Sequence, residues 1–340
     1  MTHVRPMISG LLATALALSG AMAQAAKDRY DGLYQVGLTP DGVAPLVTIR
    51  DDVGLAGAAA FVAGSAFNGI AALATPSGFN YCTGVLISPT TVLSARHCDP
   101  LAGEVVRFGA SLGTPSAGSS FVIQSVVFPG GGTSSSPLLD GGDIAILTLG
   151  SAVPASVATP FVLTPDTTAL VGSQVVVVGY GRRGPGSTGA TVSDGIRRGG
   201  TNVLELYGQA VNSSSFIGGT TNLFSTDFDN PAGTSNTLAW LGSSPVATAV
   251  EASVASGDSG GPMLSFIGGQ WAVMGVLSGG TFAAGGYGDI SWWTGVLPFQ
   301  SQITAAGGVF LAPIPEPGTY ALMALGLLVV GSQLRRRRAD

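Results

Sequence analysis

Ser259 lies in Gly257-Asp258-Ser259-Gly260-Gly261-Pro262, a stretch too rich in glycine for a helix or a packed core. Small neighbours would let a carbonyl group come down onto the serine oxygen and leave nearby amide N–H groups free to bind an oxyanion. The chain carries 52 glycines, so the same residues also read as one more turn. What decides between the readings is whether a base and a carboxylate exist to serve the serine. A serine nucleophile is activated by a base within hydrogen-bond reach, and that base is oriented in turn by a third group. His97, in Leu93-Ser94-Ala95-Arg96-His97-Cys98, is the only histidine beyond the first 25 residues. A lone histidine is usually structural, but this one sits directly after a predicted strand and beside a cysteine, where its loop can be held still. Asp143 opens Asp143-Ile144-Ala145-Ile146-Leu147-Thr148-Leu149, where a carboxylate can be partly buried and orient an imidazole. Asp140 would serve equally well on composition alone, and either could be a turn residue at a strand entry.

The elements that must position these residues read as strands. Residues 70–73, 82–87, 91–94, 105–108, 121–128 and 144–149 are short apolar runs bounded by Pro, Gly or Asn. A second set follows at 174–178, 203–206, 240–241, 263–266, 271–277 and 289–293. Gly- and Ser-rich stretches at 130–136, 182–194 and 211–236 read as exposed loops. With no long amphipathic helix between them, strands this short and regular predict an all-β chain of antiparallel barrels or sandwiches. Residues 27–63 show only a weak pattern and read as an N-terminal extension or pro-segment.

Only 10% of the 340 residues are charged, and the formal charge is −5. Five of the basic residues, Arg5 and Arg335 to Arg338, sit in the terminal segments, so the body is more acidic still. No basic patch is left to hold a nucleic acid, which excludes that class. At the N-terminus Arg5, an apolar run over residues 7–17 and small residues around Ala21-Met22-Ala23 and Ala23-Gln24-Ala25 read as a signal peptide. In an exported protein the two cysteines, Cys82 and Cys98, are expected to form a disulfide. A zinc site is the rival, but zinc needs three or four protein ligands and no second histidine is available beyond the signal peptide. No metal or cofactor is expected, and no clustered carboxylate loop suggests calcium. The C-terminal end is a separate module: Pro313-Ile314-Pro315-Glu316-Pro317, an apolar run over 320–330 and Arg335-Arg336-Arg337-Arg338. The four arginines would hold such a run, marginal in length for a membrane span, with its C-terminus in the cytoplasm.

That order of Pro-Glu-Pro, apolar segment and arginine cluster resembles the PEP-CTERM sorting signal of Gram-negative bacteria. The resemblance implies recognition and removal by an exosortase-type enzyme, attachment to the membrane through 319–334, transient or permanent, and delivery to the cell surface, the matrix or the medium. The body resembles the trypsin/chymotrypsin-type serine peptidases over residues 66–303. Its matching residues are Cys82-Thr83-Gly84-Val85-Leu86-Ile87 with Leu93 to Cys98, Asp143-Ile144-Ala145-Ile146-Leu147, Gly179-Tyr180-Gly181, and Gly257 to Pro262. They occur in the family's order of His, Asp and Ser, with a gap before Ser259 somewhat longer than usual. The resemblance implies two antiparallel β-barrels, about 66–165 and 166–312, with the active site between them. An N-terminal segment 1–25, an extension 26–65 and a tail 313–340 complete the division.

By the same resemblance Ser259 attacks the scissile carbonyl of a polypeptide, His97 shuttles the proton, and Asp143, rather than Asp140, orients the imidazole. The amides of Gly257 and Ser259 form the oxyanion hole. Ser253, Ser278, Gly279, Gly280 and Asp289 line the substrate pocket. Ser253 stands where an aspartate would select Arg or Lys, so the pocket is expected to take neutral side chains, large apolar ones included, unless Asp289 places a charge at its floor. In the family a new amino terminus, released by cleavage, pairs with the aspartate before the serine, here Asp258. No Ile-Val-Gly-Gly start is present. Either cleavage falls between Arg50 and Ala66, or another group satisfies Asp258. The second barrel has no cysteines and must rest on packing. The competing reading, from a different class, is a surface or matrix protein that keeps the peptidase fold without activity; esterase activity is a third.

Overall fold

The structure is a computed structural model that describes residues 34–35, 47–113, 118–130, 139–164, 170–217, 222–282 and 284–312. Strands β1 (Tyr34–Gln35) and β2 (Thr48–Ile49) and helix α1 (Gly54–Phe61) come first. Six strands follow: β3 (Ile70–Ala74), β4 (Asn80–Ser88), β5 (Thr91–Ser94), β6 (Val105–Phe108), β7 (Ser120–Val127) and β8 (Ala145–Leu149). They close into an antiparallel barrel in the order β3-β4-β5-β8-β7-β6.

The period-2 geometry of a strand explains why most of these runs are apolar throughout. Ala71 and Leu73 point into the barrel with Leu86, Val92, Val106, Phe121 and Leu147. Their neighbours Ile70 and Ala72 point the other way, joining Val85, Leu93 and Ile146 against Val176, Val178 and Leu264 of the second half. Both faces of β3 are therefore covered, and each fully buried Leu or Ile stabilises the fold by about 2 kcal/mol relative to exposure. In β7 one face meets water, and buried Phe121 and Ile123 alternate with exposed Ser120, Val122 and Gln124.

The second half holds β9 (Val162–Leu163), β10 (Gln174–Gly179), β11 (Gly184–Pro185), β12 (Arg198–Val203), β13 (Leu206–Tyr207) and β14 (Leu223–Asp227). It continues with β15 (Ala252–Ser253), β16 (Pro262–Ile267), β17 (Gln270–Gly280), β18 (Ile290–Gly295) and helix α2 (Gln300–Ala305). Its main sheet runs β12-β10-β16-β17-β18-β14-β13, with β1 and β9 also on β17. The sheet curls until Asn202 of β12 donates its amide to the Asp227 and Ala252 carbonyls, at 2.8 and 3.0 Å. Side-chain hydrogen bonds thus bring the ends of a curled sheet together. The chain is all-β in two antiparallel units, as the resemblance implies.

Four local readings change. Residues 240–241 lie in a 3₁₀ turn, Ala239–Leu241, rather than a strand. The stretch 211–236 contains β14, whose Leu223 to Asp227 are all buried beside β18. β12 was hidden by its sequence, Arg-Gly-Gly-Thr-Asn-Val, which lacks an apolar run. Its glycines are required by crowding: a Cβ on Gly200 would lie 2.3 Å from the Val250 carbonyl oxygen. Residues 47–62, which the sequence places in the extension, are built into the second half. β2 bridges β11 and β15, and Val47, Ile49, Ala58 and Val62 are fully buried.

Candidate active site

His97 is delivered by the end of β5. After Ser94 the chain makes one 3₁₀ turn, Arg96–Cys98, and Asp99 ends it in the left-handed region at φ 48°. The Cys82–Cys98 disulfide ties this turn to β4, with Cα atoms 6.3 Å apart. Asp143 holds the histidine at two points: Oδ1 accepts from the His97 backbone N–H at 2.8 Å, and Oδ2 lies 2.6 Å from Nδ1. With Nδ1–H donating to the carboxylate, Nε2 is left as the acceptor, and the Ser259 hydroxyl lies 2.7 Å from it. All three residues are buried. Asp140 plays another part. It is exposed and its Oδ1 accepts from Gly142 N–H at 2.8 Å, capping the turn that delivers Asp143.

The Ser259 loop owes its path to glycines. Gly257 and Gly260 have φ of 87° and 76°, a region that side chains with a Cβ rarely adopt. A Cβ on Gly260 would also lie 2.2 Å from Ser94 Oγ. Thr83 fixes the loop from β4. Its N–H donates to Ser259 O at 2.9 Å, its hydroxyl donates to Gly257 O at 3.0 Å, and the same hydroxyl accepts from Tyr180 N–H at 3.2 Å. Among the described residues the amides of Gly257 and Ser259 donate to no protein acceptor, whereas those of Asp258, Gly260 and Gly261 do. Thr83 was visible in sequence only as part of the cysteine motif; its contacts span 174 and 97 positions, which no local pattern reveals.

The family model described as trypsin matches residues 62–303. The chain belongs to the trypsin family. A PEP-CTERM protein-sorting motif matches residues 313–338, a signal of exported proteins in Gram-negative bacteria that implies an exosortase-type processing enzyme. No curated protein matches the chain. The tail, including 319–334, lies outside the described residues, as do residues 1–33; among the described residues no helix is long and apolar enough to cross a membrane.

Trypsin-family expectation puts a charged partner on Asp258, and among the described residues the structure gives it two amides instead. Gly181 N–H donates to Oδ1 at 2.7 Å and Ala255 N–H to Oδ2 at 3.0 Å. The Gly179-Tyr180-Gly181 turn is shaped around this carboxyl group: a Cβ on Gly181 would lie 2.2 Å from its Cγ, and one on Gly179 2.0 Å from Oδ1. Burial pushes Asp258 up to about 7, against the pull of the two hydrogen bonds.

The residues assigned to the pocket gather in one neighbourhood. Ser253 Oγ lies 3.3 Å from Ser291 Oγ, Ser291 pairs across β17–β18 with Gly280, and a Cβ on Gly280 would lie 3.3 Å from Asp289 Oδ2. Gly279 precedes Gly280 at a register shift in β17, opposite Trp292. Asp289 is fully buried; its Oδ1 accepts from the Thr281 hydroxyl and, at 2.8 Å, from Phe282 N–H. Burial raises it to about 7. Ser278 is turned to Thr294, with the two hydroxyl oxygens 2.7 Å apart. The free edge of β17 is not bare: Tyr34 and Gln35 of β1 pair with Gly280 and Gly279.

Proposed function

We propose that this trypsin-family chain is an exported serine endopeptidase that cleaves polypeptides through an acyl-enzyme. The observation that carries the reading is the continuous relay Asp143–His97–Ser259, with contacts of 2.6 and 2.7 Å. In it Nε2 takes the proton of Ser259 Oγ as that oxygen attacks the scissile carbonyl. The imidazolium that forms keeps its Nδ1–H on Asp143, then returns the Nε2 proton to the leaving amine. Water repeats the sequence to release the acyl group. The amides of Gly257 and Ser259 receive the developing oxyanion, each contributing about 3 kcal/mol to the barrier reduction.

Specificity on this reading is for a neutral side chain. Ser253 brings no charge, and Asp289 is tied to Thr281 and Phe282 in a setting that favours its neutral form. Substrate backbone adds to the edge of β17 at Gly279 and Gly280 in place of β1, whose antiparallel pairing there supports an edge that accepts an extended strand. The division of the chain follows: a signal peptide over 1–25, an extension whose second part from 47 belongs to the folded unit, a peptidase body to 312, and a tail over 313–340 that is removed at the membrane or holds the protein there.

The test is cleavage of a peptide library by the secreted protein and by its Ser259→Ala variant, with product termini read by mass spectrometry. New termini after neutral residues, absent with the variant, support the proposal. Equal product from both proteins would contradict it, and cleavage confined to Arg and Lys would overturn the specificity while keeping the mechanism.

A further inference from the structure

Three carboxyl groups meet in the second half, away from the Ser259 loop. Glu205 immediately precedes β13, Asp227 ends β14, and Asp229 lies two residues on; one oxygen from each lies within 4.8 Å of the others. Asp227 and Asp229 are buried, as is a fourth carboxyl group, Glu251, which accepts from Asp229 N–H at 2.8 Å and from Thr248 N–H. Asp227 Oδ2 accepts from Leu238 N–H at 2.7 Å, and Glu205 Oε2 from Asp227 N–H at 3.1 Å. Among the described residues no Lys, Arg or His forms an ion pair with any of the four. The guanidinium facing this region, Arg50, is paired with Asp52 and donates to the Thr248 carbonyl.

A second observation points to a ligand. Among the described residues Asp229 Oδ1 has no hydrogen-bond partner, although the residue is only 3% exposed. A buried carboxylate oxygen without a partner is costly unless a cation fills the gap.

We propose that Glu205, Asp227 and Asp229 form a calcium site, with Glu251 orienting Asp229 through its backbone. Calcium takes carboxylate oxygens at roughly 2.3–2.6 Å, so oxygens on opposite sides of one ion stand about 5 Å apart, which suits this set. Magnesium, at about 2.0–2.1 Å, needs a tighter and more regular arrangement. With no nitrogen or sulfur ligand the set is poor for zinc. Bound calcium fastens the start of β13 to the end of β14 and to the segment leading from Glu251 into Ser253. It does so in the half of the molecule that has no disulfide. The sequence concealed the site because its ligands come from separate segments rather than one acidic loop.

The experiment uses the secreted protein carrying Ser259→Ala, so that self-digestion cannot imitate instability, after treatment with a chelator. Calcium is expected to bind at one per chain by calorimetry and to raise the thermal midpoint by roughly 5–10 °C at a hundredfold excess over Kd, with a smaller rise for magnesium. Asp229→Asn and Glu205→Gln are expected to fold and to lose the calcium-dependent rise. Hydrogen exchange on the parent protein should slow around residues 205–207 and 227–229 when calcium is added, which locates the site even if a variant fails to fold. The proposal is overturned if millimolar calcium neither binds nor raises the midpoint, in which case a proton shared between Glu205 and Asp227 satisfies the cluster. It is equally overturned if both variants keep the full rise, or if protection appears elsewhere.

Discussion

Asp143 makes two contacts with His97, one to the backbone N–H and one to the ring, so a substitution can keep its shape while reversing its hydrogen-bond character. Asp143→Asn preserves volume but presents an amide that can donate to Nδ1, which favours the tautomer with its proton on Nε2. That proton blocks the nitrogen that must accept from Ser259. The expected outcome is a fall in kcat of about 10⁴ with KM little changed, measured on a neutral peptide ester. A fall of less than tenfold would mean that the imidazole is oriented by something else.

At the scale of elements, β5 and its 3₁₀ turn hold His97 through the bond from Cys98 to Cys82 across a separation of 16 residues. Replacing both cysteines by serine is expected to cost about 3 kcal/mol in unfolding free energy, read from urea denaturation with activity followed in parallel. Activity should fall further than the unfolded fraction explains, because the turn carrying the base is loosened. This is also where the sequence was most legible. His97, Asp143 and Ser259 each sit in a short motif whose local spacing is its own signal, and β3 to β8 announce themselves as bounded apolar runs. What stayed hidden depends on distant partners. β12 shows no apolar run because its glycines serve close approach to Val177 and Val250. α1 and β2 lack periodicity because α1 is a run of small apolar residues and β2 is only two residues long. The amide cradle of Asp258 comes from Gly181, 77 positions away, so the carboxyl group could be recognised as needing a partner but not matched to one.

At the scale of the whole molecule, Asp258 and Asp289 are both raised by burial to about 7, from an ordinary value of 3.8. Between about pH 4 and pH 7 the native state therefore binds more protons than the unfolded state, and stability falls as pH rises through that window. Above it the slope from these groups vanishes. Thermal midpoints of the Ser259→Ala protein in saturating calcium should decline from pH 4.5 to pH 7.5; a steady rise over the same range would show that these groups are not buried as described.

The central claim is that Ser259 is a nucleophile made reactive by His97. Incubating the secreted protein with a fluorophosphonate probe, and locating the adduct by peptide mass spectrometry, tests it most directly. The expected result is one adduct per chain, on Ser259, lost in Ser259→Ala and formed at least a hundredfold more slowly in His97→Ala. A correctly folded wild-type protein that stays unlabelled, or that labels as fast without His97, would contradict the account.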